Sequence, residues 1–111
     1  MANSPRSGVH EEDLTQANSE QIYSALFINL VIQVSNMGLV LLGKMPNPET
    51  GDHELDIDGA KVYIDQLEML AVKTEGNLNE EEKSLVTRSL NVLRMSFVDV
   101  MDNQKESTAD L

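Results

Sequence analysis

The residues of this sequence whose types and spacing come nearest to a recognisable chemistry lie in one acidic stretch. Read as ELDIDGAKVYID, residues 54–65 put Glu54, Asp56, Asp58, Gly59 and Asp65 at positions 1, 3, 5, 6 and 12 of a calcium-binding loop. Such a loop needs oxygen ligands at alternate positions and a glycine at position 6 for its sharp turn. Three features oppose it: Lys61 stands at the normally apolar position 8, Asp65 is shorter than the usual Glu, and Pro46 and Pro48 interrupt any entering helix. The same residues make an ordinary helix start, with Asp56 as N-cap and Asp58 in the first turn, where carboxylates are favoured. A helix start is therefore expected, with no metal and no cofactor, and calcium binding through the 54–65 loop is the third-ranked reading.

The remaining reactive residues are sparse. His10 and His53 are the two imidazoles, His10 in the expected tail beside Glu11, Glu12 and Asp13 and His53 in a loop between Asp52 and Glu54; neither position provides the rigid shell a base or ligand needs, so neither is expected to act as one. There is no cysteine, hence no disulfide framework, thiolate site or cysteine nucleophile. No GxSxG, HExxH or glycine-rich phosphate loop occurs, so there are no catalytic residues to nominate and no enzyme is expected. With 19 acidic and 8 basic residues the net charge is −11, which rules against nucleic acid, whose binding depends on clustered Lys and Arg.

Hydropathy patterning then defines the elements. Residues 1–19 and 103–111 are polar and acidic and are expected to be disordered tails around a domain of residues 20–102. Helices are expected at about 20–43, 57–75 and 80–101. Gly43 and Gly76 are C-terminal stop signals, and Asn79 with Glu82 has the spacing of a capping box. The second helix shows an apolar stripe at Ile57, Ala60, Tyr63, Ile64, Leu67, Leu70 and Ala71. The third shows one at Leu85, Val86, Ser89, Leu90, Leu93, Phe97 and Val100. The short link between them implies an antiparallel hairpin across which Asp65 and Arg94 are expected to meet. The expected fold class is all-α: a long buried first helix plus that hairpin, forming a three-helix unit that self-associates.

The first helix is unlike the other two. From Gln21 to Gly43 there is no charge, and apolar side chains surround a narrow stripe of Asn29, Gln33 and Asn36. A membrane anchor over residues 22–43 is long enough to be the alternative reading, but three amides in the span and the lack of a basic cluster weigh against it. The preferred reading has this helix cover the hairpin and also meet another copy, with Asn29, Val31, Gln33, Asn36 and Leu39 as interface residues. The amide stripe then faces either solvent or the mate. Met37, Met69, Met95 and Met101 are expected to fill gaps in a core short of aromatics, with an adaptable groove for a partner helix as the weaker reading.

The order of residues around the expected hairpin resembles a known family. Ile64-Asp65-Gln66-Leu67-Glu68-Met69-Leu70, Lys73-Thr74-Glu75-Gly76-Asn77-Leu78, Glu81-Glu82 and Leu93-Arg94 are similar to the bacterial domain of unknown function 1844, as are Leu42-Gly43 and Pro48-Glu49-Thr50-Gly51. The likeness extends over about residues 24–100 as a run of several short motifs in order. The departures are Asn79, where the family is expected to have Thr, and the added acidity of Asp56-Ile57-Asp58-Gly59. The resemblance implies a short helical bacterial protein with no assigned activity, cofactor or substrate. From sequence, then, the expectation is a small acidic helical protein of the cytoplasm. It would be non-enzymatic and homo-oligomeric, or would bind a protein partner not identifiable from sequence.

Overall fold

The structure is a computed structural model that describes the backbone of residues 11–109 and the side chains of residues 18–105. It has three α-helices, α1 (Glu11–Leu41), α2 (Ile57–Lys73) and α3 (Glu80–Ala109), and no strand among the described residues. Each helix packs against both others. One aliphatic side chain from each forms the centre of the core: Val31 of α1, Leu67 of α2 and Leu93 of α3 are all 0 % exposed. Burying a side chain of this kind contributes about 1.5–3 kcal/mol. Every member of the two expected stripes is buried or half-buried, Ala60, Ile64, Val86, Leu90 and Val100 among the buried.

The helix ends follow local chemistry. At the C-terminus of α1 the Lys44 amide donates to the Leu39 carbonyl at 2.9 Å and the Gly43 amide to Val40 at 3.0 Å. This is the paired bonding of a Schellman motif, and it places Gly43 at a φ of +74° that a side chain would resist. Asp56 caps α2, its Oδ1 accepting from the Gly59 amide at 3.0 Å. Its own amide donates to the Leu41 carbonyl at 2.8 Å, so the loop returns to the end of α1. Asn79 and Glu82 form the full capping box: each side chain accepts from the other's backbone amide at 2.8 Å. Gly76 lies one residue further along than expected. Thr74 is the C-cap of α2, and Gly76, at φ +85°, sits inside the turn closed by the Asn77 amide on the Thr74 carbonyl.

Two boundaries are corrected. Helix α1 starts at Glu11 and takes in residues 11–19, and α3 continues through residues 102–109, both assigned to tails by the apolar pattern. The reason is that no Gly or Pro occurs between residues 9 and 37 or between 77 and 111. Where the apolar residues run out, nothing forces the helix to stop. The expectation of disorder for residues 1–10, 110 and 111 lies outside the described residues.

Candidate functional site

Helix α1 is divided lengthwise. Its inner half carries the buried Val31, Val34 and Ser35, and at its C-terminal end Val40 and Leu42 are buried as well. At 100° per residue the outer half runs through Ile32, Asn36, Asn29, Gln33, Leu26, Met37, Leu30 and Tyr23, spanning about 180°. Every one of these is exposed. Ile22 at 57 %, Tyr23 at 69 %, Leu26 at 59 % and Leu30 at 43 % are the most open of its apolar residues. No charged side chain interrupts this half between Gln21 and Gly43. Monomeric soluble proteins rarely leave a continuous apolar strip of this length uncovered.

The amide stripe therefore faces away from the chain's own core. Asn29, Gln33 and Asn36 form the centre line of the exposed half, with Ile32 on one flank and Leu30 and Met37 on the other. Amides donate and accept hydrogen bonds without titrating, so this stripe offers a row of neutral donors and acceptors to whatever meets it. Of the five expected interface residues, Val31 is corrected: it is 0 % exposed and serves the chain's own fold, while Leu39 is half-buried against the core. Position on the helix decides this, because 31 falls on the side opposite 22, 26, 29 and 33, whereas 39 lies at the edge of that face beside 32. The residues passed over were Ile22, Leu26 and Leu30. The alternating four- and three-residue steps from Ile22 through Leu26, Asn29 and Gln33 to Asn36 place these residues on one face, but a helix apolar almost all round gives no sign of which face turns outward.

The other nominated groups are not brought together. Asp56 is occupied as N-cap, Asp58 stands in the first turn of α2, Asp65 lies two turns further on, and Glu54 accepts from Asn47 Nδ2 at 3.1 Å. No cluster of three or more His, Asp or Glu side chains suited to a metal occurs among the described residues. His53 is exposed, with its Nδ1 at 3.1 Å from the Gly43 carbonyl at one wall of an open cleft beside Lys44 and Val100. His10 lies outside the described residues.

The cross-helix ion pair is corrected as well. Arg94 reaches Glu68, with Nη2 to Oε2 at 3.2 Å, and Asp65 takes no part; residue 68 is nearly one helical turn nearer the α2–α3 connection. A second pair joins Lys44, just beyond α1, to Asp99 of α3 at 2.5 Å. The methionines depart from their expected role. Met37, Met69, Met95 and Met101 are 38–73 % exposed, so they do not fill gaps in the core, and they are spread over three helices.

A three-helix domain with aliphatic packing on one side of its first helix and an uncharged open face on the other is the class of protein defined so far. A family model described as a domain of unknown function, DUF1844, matches residues 24–99. The chain belongs to that family, and the matched region runs from the middle of α1 through the core-facing part of α3. No curated protein matches the chain, and no solved structure does.

Proposed function

We propose that this protein is a non-enzymatic association module, with α2 and α3 as an antiparallel hairpin that braces α1 and the outer face of α1 as the working surface. The observation that carries this reading is the uncharged, exposed half of α1 from Ile22 to Met37. The Glu68–Arg94 pair, joining helices linked by a short turn, supports the hairpin. The core supports rigidity, since Leu67 and Leu93 hold the inner face of α1 while its outer face stays open.

The test is light scattering at ~100 μM, far above typical micromolar dissociation constants. The wild-type chain is expected at the mass of a dimer or larger assembly, and Leu26→Glu at the monomer mass with an unchanged helical circular dichroism spectrum. A wild-type monomer at that concentration contradicts the reading.

One observation favours a bilayer as second reading: Asn18–Leu41 is long and apolar enough to cross a membrane, and 22 % of its most apolar window is buried. In this fold, however, α1 lies beside helices that carry Lys61, Asp65, Glu68, Glu81, Arg88 and Arg94. Spanning would draw those charges into hydrocarbon or strip α1 from its core, and either costs several kcal/mol per group. Co-sedimentation with neutral phosphatidylcholine vesicles distinguishes the two; the module is expected in the supernatant.

A further inference from the structure

Asn29 and Asn36, the outer members of the exposed amide stripe, lie symmetrically about the midpoint between residues 32 and 33, and Gln33 stands beside that midpoint on the same face. From this spacing we infer that the outer face of α1 docks against α1 of a second copy, antiparallel, with the two-fold axis passing between residues 32 and 33. This inference rests on the association proposed above and gives it an occupant and an orientation.

The chemistry of the face selects a copy of itself. A two-fold interface must be self-complementary, and a carboxamide is so by nature, carrying donor and acceptor on one group. With the axis at 32–33, Asn29 of one copy lies opposite Asn36 of the other, twice over, and the two Gln33 side chains flank the axis within ~1.5 Å of each other along the helix. Amide thus meets amide along the centre line, with Leu26, Leu30, Ile32 and Met37 packed around it. An apolar partner helix would leave those amides unpaired, and a basic one would find no carboxylate on the face to pair with. Antiparallel alignment also sets the two Glu20 carboxylates at opposite ends of the interface. A parallel pairing would bring the two Glu20 carboxylates side by side in a chain already at −11.

Ile22, Tyr23, Leu26, Leu30, Ile32 and Met37, at 38–69 % exposure, offer at most roughly 650 Å² of area per copy, to which the amides add, against about 800 Å² per partner in a standard stable interface.

Because the natural chain has no cysteine, single substitutions report the alignment directly. Q33C is expected to form a disulfide dimer by itself under mild oxidation. N29C alone and N36C alone are expected to stay uncrosslinked, because like positions then sit ~10 Å apart along the axis, beyond the roughly 4.4–6.8 Å between Cα atoms that a disulfide tolerates. A mixture of N29C with N36C is expected to crosslink into the mixed dimer. Light scattering of each reduced variant verifies that the assembly persists before oxidation. If N29C, N36C and Q33C all crosslink equally by themselves, the copies are parallel and the inference fails. If none crosslinks while the mass stays that of a dimer, a different surface is the interface and the inference fails. A monomer mass for the wild-type chain instead removes the association reading itself, and uptake by phosphatidylcholine vesicles in place of dimerisation assigns the face to a bilayer.

Discussion

Gly38 of α1 lies directly against Leu93 of α3: a methyl group built on the glycine would stand 2.8 Å from Leu93 Cδ2 and 3.7 Å from Tyr63 Cβ of α2. A glycine within a helix costs about 0.5–1 kcal/mol relative to alanine, so close approach of the helices is the physical reason for this one. Leu93 is 0 % exposed and packed within the core cluster, so its methyl can yield only by moving against its neighbours. Overpacking of about 1–3 kcal/mol therefore outweighs the gain in helix propensity. Gly38→Ala is expected to lower stability by ~1 kcal/mol net, read from the urea midpoint, and to be less costly in a Leu93→Val background.

A charge on the inner face of α1 should behave unlike one on the outer face. Val31→Glu places a carboxylate at a fully buried position among aliphatic side chains, which costs several kcal/mol out of a total stability of about 5–15 kcal/mol. Loss of the cooperative thermal transition is expected, in contrast to Leu26→Glu, where the fold persists and the mass falls. Equal loss of helical signal in both variants would mean that the outer face is also part of the folded core.

Asp56 acts as a cap. Its bond to the Gly59 amide is one that alanine cannot make, so Asp56→Ala is expected to cost ~1 kcal/mol. Calcium should raise the melting temperature no more than magnesium at matched ionic strength, since both screen the self-repulsion of a chain at −11. A site at one hundred times its dissociation constant would add ~2.7 kcal/mol, so a calcium-specific rise that vanishes in Asp58→Asn is the opposing result.

The Glu68–Arg94 pair has both side chains at least half exposed, at 54 % and 50 %. Water screens such a pair, and its coupling is expected within ~0–1 kcal/mol. A double-mutant cycle on Glu68→Ala and Arg94→Ala should show that small coupling and lose it in high salt, while the cycle on Asp65→Ala and Arg94→Ala shows none.

Much of the fold was legible from the chain by itself, because its signals act over a few residues. Asp56, Asn79 with Glu82, and Gly43 mark helix ends through bonds to backbone groups at most five positions away, and the stripes of α2 and α3 are fixed by a period of 3.6. The true ends of α1 and α3 were less legible, since a helix continues through polar residues when no Gly or Pro stops it.

What tertiary structure alone decided is which side of α1 turns inward. The segment from Gln21 to Gly43 is apolar almost all round, so its own pattern could not separate Val31 and Leu39 from Leu26 and Leu30. The choice came from contact with the other helices. Gly38 admits Leu93, Val31 closes over the core shared with Leu67, and once those contacts form, the rotation of α1 about its axis is set. Asn29, Gln33 and Asn36 then point outward as a consequence. The partner of Arg94 was settled in the same way, because one turn of relative slide between α2 and α3 exchanges Asp65 for Glu68, and only the packing of the buried side chains fixes that slide.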